Sequence, residues 1–293
     1  MGQDTRGSTR RRYHRRAWGI SWLVAGLLFG GAAVASDVPS ALARGDAAWA
    51  ARAERLDDEG RLADPAAIES AIRHYEEAVS EAPDSLEARW KLLRAYHYSI
   101  DFAARSEAAR TASAEAAIEV AKASVDRLDA VEGTPFDRAR VYFWSSIAWG
   151  ARASRVGLLT IVREGVARRM HDYAALSLEL DETVDRGGAL RLLSRLHATL
   201  PRVPFVSGWV DRDKAIPYAE RAVALYPEHE GSRLVLALTR LDLEPERESA
   251  SRADLARVAA LTPRPDFLVE DLVIREQARE RLAELSGGEA GDR

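Results

Sequence analysis

Six histidines and a large set of carboxylates are the groups of this chain that could move protons or hold a metal. Their spacing assembles neither site. His14, His74, His97, His171, His197 and His229 include no pair three or four residues apart, so no helix turn presents two imidazoles to one ion, and H-E-x-x-H does not occur. Glu228-His229-Glu230 could chelate weakly, but flanking acids at a break between helices read as a solvated turn. Carboxylates such as Glu76-Glu77 and the Glu179–Glu182 stretch sit where helical arginines at i±3 or i±4 would pair with them and face water. There is no cysteine, which excludes thiolate ligands, cysteine nucleophiles, disulfides and a lipid-bearing N-terminal cysteine. Phosphate-binding glycine loops, the dinucleotide G-x-G-x-x-G and the G-x-S-x-G elbow are absent. The sequence nominates no catalytic residue, no metal ligand and no cofactor.

What remains is chemistry of binding. Tyr142, Phe143, Trp144 and Trp149 fall on one predicted helix, and consecutive positions point about 100° apart. One ring at least must leave a single apolar stripe, to line a pocket or subunit contact or to fill inter-helix packing. Arg191 follows Gly187 and Gly188, where the backbone can be approached closely. It is placed to meet a carboxylate of the protein or of a ligand. Phe205 and Trp209, with Pro204, lie on the longest non-helical stretch, about Leu200 to Arg212, as partner anchors or as a lid folded back on the helices.

The elements that must carry these groups are helical. The chain is 47% hydrophobic and 30% charged with only 7% aromatic residues, and Ala, Leu, Arg and Glu dominate. These are strong helix formers, and period-two alternation is nearly missing. Proline, glycine and short polar residues divide the chain into predicted helices at Asp46–Leu56, Ala66–Ala82, Leu86–Phe102, Ser113–Val131, Asp137–Ser154, Val156–Asp181 (bent near Gly165), Asp185–Leu200, Asp213–Pro227, Gly231–Leu243, Ser251–Leu261 and Phe267–Leu285. Connections are short, as antiparallel neighbours require. Residues 286–293 read as a frayed acidic tail.

The first 35 residues differ from the rest. Arg10–Arg16 is a basic block, Ile20–Gly31 is apolar, and Ala33-Val34-Ala35 has the small-x-small form of a signal-peptidase site. The order predicts a secretory signal peptide cleaved before Ser36, with an uncleaved inner-membrane anchor over Ala17–Ala35 as the alternative. Six arginines stand against Asp4 there, so a net charge of −4 for the whole chain leaves an acidic remainder. Nucleic acid is not its expected partner.

Two segments align without gaps: AIRHYEEAVSEAP at 71–83 and AIPYAERAVALYP at 215–227. They share Ala71/Ala215, Ile72/Ile216, Glu76/Glu220, Ala78/Ala222, Val79/Val223 and Pro83/Pro227. A weaker copy starts at Ala117-Ile118 and reaches Ser124-Val125. Small residues permit close helix approach, branched ones make the covered stripe, and proline ends the helix. The pattern predicts an all-α domain over 36–285, with tetratricopeptide-like helical hairpins stacked into a right-handed superhelix.

The segments DRGGALRLLSRLHATLP (Asp185–Pro201), GWVDRDKAIPYAERAVALYP (Gly208–Pro227) and GSRLVLAL (Gly231–Leu238) resemble the T component associated with tripartite ATP-independent periplasmic (TRAP) transporters. The Tyr142-Phe143-Trp144 helix and Pro263–Leu285 are also similar to it. The resemblance covers most of residues 65–285 and is most specific between Gly187 and Pro227. It implies a non-catalytic periplasmic adaptor of a solute uptake system. It further implies a trimer, a partner substrate-binding protein, and the handling of apolar small molecules. Family members are often lipoproteins, and this chain has no cysteine to carry the lipid. A self-assembling envelope scaffold unrelated to transport is the competing expectation.

Overall fold

The computed structural model describes residues 40–203 and 207–291. The signal-peptide expectation for 1–35 lies outside the described residues, as does Phe205. All regular structure among the described residues is helical, apart from one isolated bridge between Leu56 and Ala63. No helix among them is long and apolar enough to cross a membrane.

Twelve α-helices follow one another: α1 Ala41–Ala50, α2 Pro65–Glu81, α3 Leu86–Tyr98, α4 Glu107–Val125, α5 Pro135–Ala153, α6 Leu158–Arg163, α7 Val166–Leu180, α8 Gly188–Thr199, α9 Ala215–Leu225, α10 Glu230–Leu243, α11 Glu248–Ala259 and α12 Leu268–Gly291. Side-chain oxygens start many of them by accepting an otherwise orphaned N–H: Ser40 for α1, Asp64 for α2, Ser85 for α3, Ser106 for α4 and Thr134 for α5. Pro65 and Pro135 occupy first turns, where a missing N–H costs little.

Some boundaries differ from the sequence expectation, and the caps explain why. The first helix starts at Ala41 because Ser40 caps it, and α4 starts at Glu107 because Ser106, not Ser113, is its cap. α3 ends at Tyr98 and widens into a π turn over Ser99–Ala103. The bend at Gly165 is real: this residue sits at φ 62 between α6 and α7, a conformation that glycine adopts at least cost. The closing helix continues to Gly291, so residues 286–291, expected as a frayed tail, extend it.

Consecutive helices pack against each other from α1 to α5 and again from α7 to α12, and α5 packs on α7. Alternate helices also touch: α3 on α5, α8 on α10 and α10 on α12. The aligned segments become α2 and α9, and their equivalent positions are buried alike. Ala71, Tyr75 and Ala78 on α2 match Ala215, Ala219 and Ala222 on α9, and Ala117, Ala121 and Ser124 on α4 repeat the pattern. In each set the spacing is i, i+4, i+7, one face of a helix. The residue before each terminal proline has nearly the same backbone, Ala82 at φ −131, ψ 78 and Tyr226 at φ −137, ψ 80, as the proline ring demands extended geometry.

The next helix closes each hairpin in the same way. Arg89 donates to the Pro83 carbonyl at 2.9 Å, and Arg233, the same six residues on, donates to the Pro227 carbonyl at 3.4 Å. Tyr96 donates to Glu76, and Arg240 reaches Glu220 at 2.9 Å from the equivalent position.

Candidate functional site

A cavity of about 900 Å³ lies among α1, α3, α5, the segment before α8, α10 and α12. One wall is polar and aromatic, with Trp49, Arg52, Arg94, His97, Tyr98 and Phe102. Trp144 of α5 joins it. Another part of the lining is aliphatic, with Leu234, Val235, Leu268 and Ile274. Asp185, Arg186, Arg191, His229 and the Arg264–Asp271 stretch complete the enclosure.

The position of these groups follows from local structure. Trp90, Leu93, Tyr96 and Ile100 form the buried stripe of the α3 region. Arg94 and His97 are displaced from it by a turn fraction and so face the cavity. His97 lies 3.1 Å from an Asp101 oxygen. Burial opposes a charge on this ring, but Asp101 outweighs burial and holds its pKa above the ordinary histidine value. Across the cavity His229 is the opposite case. Its Nδ1 caps α10 by accepting from the Ser232 N–H at 3.1 Å, and burial, with Arg191 and Arg186 nearby, pushes its pKa down to about 2. It is therefore a neutral imidazole with its proton on Nε2. The sequence reading of Glu228-His229-Glu230 as a solvated turn is corrected: Glu230 is buried and bonded by Arg257 at 3.0 Å.

The turn entering α8 is under backbone strain. Asp185 and Arg186 have φ of 48 and 52, and Gly187 has φ 81, so three successive residues are left-handed. For the two that are not glycine this costs about 1 kcal/mol or more each. Arg191 holds the turn in place: it donates to the Arg186 carbonyl at 2.7 Å, the Asp185 carbonyl at 2.9 Å and the Asp185 carboxylate at 2.7 Å. The carboxylate expected opposite Arg191 thus belongs to the protein. The next helix residue fits because it is glycine: a Cβ at Gly188 would lie 2.4 Å from the Phe143 ring.

Five arginines and five aromatic rings form an alternating series through this region. Arg140 lies over Phe136 at 3.6 Å and over Trp90 at 4.3 Å. Arg94 follows, 5.0 Å from the Trp90 ring and 3.9 Å from the Trp49 ring. Arg52 lies 4.4 Å from Trp49, 5.3 Å from Tyr98 and 5.8 Å from Phe267. Arg186 and Arg264 stand over Phe267 at 3.9 and 4.9 Å. Ring faces attract guanidinium charge but leave its N–H edge available. Arg52 spends that edge on Glu270 at 3.0 Å and on the Asp266 carbonyl, and Arg264 spends its own on buried Asp271 at 2.7 Å.

The sequence-nominated residues divide. Trp144 and Arg191 line the cavity. Trp149 is buried elsewhere in the core, with Arg169 4.9 Å from its ring. Tyr142 packs on Tyr173 of α7, ring centroids 5.9 Å apart. Trp209 folds back and stacks on His171 at 4.1 Å beside His197, as a strap over α7 and α8 rather than a cavity group. Sequence reasoning missed Arg52, Arg94, His97, Arg186 and Phe267. The signal within reach was Trp90, Arg94 and His97 at helical spacing, a stripe beside the apolar one.

Among the described residues no group of three or more acids and histidines is arranged to hold a metal. Comparison of the sequence with protein-family models and with curated proteins yields no match to either.

Proposed function

We propose that this chain is a non-catalytic periplasmic binding protein of tetratricopeptide-like build that takes a small molecule into the cavity between α3 and α10. In this reading it works as an adaptor of a TRAP-type solute uptake system, beside a substrate-binding protein. The observation that carries the reading is the cavity. At about 900 Å³ it is the size of a small-molecule site, and α3 and α10, the second helices of the two hairpins whose geometry repeats, both contribute to its lining. The matching caps, small-residue faces and proline contacts of α2–α3 and α9–α10 support stacked hairpins turning as a right-handed superhelix.

The test is native mass spectrometry of the chain purified gently from its own envelope, with light scattering on the same sample. The expected result is a non-covalent small molecule released on denaturation, and a trimer. Trp144→Ala should lower occupancy at least severalfold on protein that remains folded, and it should also lower the melting temperature, because this ring lines the cavity and is buried against Phe143 and His97. A chain that carries nothing and assembles into large homopolymers overturns the reading in favour of an envelope scaffold.

A further inference from the structure

Two of the cavity's arginines differ from the rest. Among the described residues, neither Arg94 nor Arg186 has a carboxylate within ion-pair distance, whereas Arg52, Arg191 and Arg264 each have one. Arg94 is wedged between the Trp49 and Trp90 rings, and its Nε is buried without a hydrogen-bond partner. Arg186 rests on Phe267 and is held there by a strained left-handed backbone. Burial lowers the pKa of both guanidiniums below the ordinary arginine value, because desolvation disfavours the charged form. The cavity acids with no arginine at ion-pair distance among the described residues, Glu54 and Asp266, are exposed.

Resting on the binding-protein reading above, we infer that the cavity's ligand is an organic anion: an apolar body against Leu234, Ile274 and Trp144, with an acidic oxyanion head drawn to Arg94 and Arg186. Several features of the site fit that chemistry together. A guanidinium seated on ring faces with no carboxylate at ion-pair distance is a strong receptor for carboxylate, sulfonate or phosphate oxygens. The flanking rings fix its plane and exclude competing water. Three hydrogen bonds from Arg191 maintain a turn that aims Arg186, and strain of this kind gathers where a binding geometry must be set in advance. The neutral His229 adds a donor N–H, not a charge, so it discriminates little between anions.

The experiment compares two dyes that share one apolar body. Anilinonaphthalene sulfonate carries an anionic head, and N-phenylnaphthylamine lacks it. Fluorescence titration of the full chain should show one sulfonate bound per chain, about tenfold or more tighter than the neutral dye, the worth of one charged hydrogen bond set. Arg94→Gln and Arg186→Gln should each weaken the sulfonate about tenfold and leave the neutral dye within a factor of about two. Equal affinity for both dyes overturns the anion inference and leaves the binding reading standing. Loss of both dyes in unaltered protein overturns both. A sulfonate affinity unchanged in both folded variants also overturns it. The two-dye comparison on the unaltered chain decides the matter even where a variant fails to fold.

Discussion

The hairpins α2–α3 and α9–α10 share a scaffold and differ in what they show to the cavity. Helix-facing positions correspond one to one: Ala71 with Ala215, Ala78 with Ala222, Arg89 with Arg233, Glu76 with Glu220. Cavity-facing positions do not. Arg94 and His97 of α3 line the cavity, but their equivalents on α10 are Leu238 and Leu241, and α10 gives the cavity Leu234 and Val235 instead. Leu238 and Leu241 pack around the second apolar cluster with Leu234 and Leu255. One hairpin therefore brings charge and rings, and the other brings aliphatic surface. The difference teaches that internal likeness marks the structural positions, and that the site is read from where the likeness stops.

Overfilling the shared faces should produce the largest effect. Ala71→Leu and Ala215→Leu place three extra carbons at positions with no exposure, and each should cost roughly 1–3 kcal/mol. Similar losses in urea unfolding would sharpen the equivalence. A loss at one site with none at the other would break it.

Acid should separate the two hairpins next. His229 caps α10 with its pKa at about 2, and His197 of α8, buried and facing His171, is held at about 4. Both are neutral in the folded chain and titrate near 6.5 once unfolded. The unfolded state then binds more protons below that pH, so stability falls as pH drops from 6.5 toward 4, by up to ~1.4 kcal/mol per pH unit for each ring. His97 has the opposite sign. Its raised pKa gives stability that is complete below 6.5 and is lost as pH rises through its folded value. Melting temperature against pH should flatten on the acid side in His229→Asn, since asparagine can cap a helix without titrating. An unchanged acid slope would contradict the neutral assignment.

The smallest effect should come from the hairpin clasps. Glu220→Gln removes an ion pair to Arg240 at a half-exposed carboxylate, worth at most about 1 kcal/mol. Glu76→Gln keeps an acceptor for the half-buried Tyr96 hydroxyl and should cost about as little. Thermal melts distinguish these from the alanine variants by their size.

Much of the helical order was legible because its signals are local. Pro83, Pro227, Gly165 and the polar caps punctuate the chain, and a buried i, i+4, i+7 face that starts with alanine and ends with a small residue repeats three times. Half of the site was not legible. Asp185 is of a type that tolerates left-handed geometry, but nothing marks Arg186 for it; the fold around Arg191 sets both. Arg52, Arg94 and Phe267 look like ordinary surface or loop residues, and their significance arises from contacts as far apart in sequence as Arg52 and Glu270. The aromatic density of Tyr142–Trp149 was visible, but of these rings only Trp144 lines the cavity, since α7 covers Tyr142, α4 and α7 flank Trp149, and the start of α8 at Gly188 lies against Phe143.

The alternation of rings and guanidiniums also equips the chain with its own indicator. Arg94 is pressed between two indoles, Trp49 and Trp90, whose emission responds to a charge beside the ring. An occupant that draws this guanidinium aside must change both environments at once. Its arrival can therefore be followed by ultraviolet light alone, without label or tag.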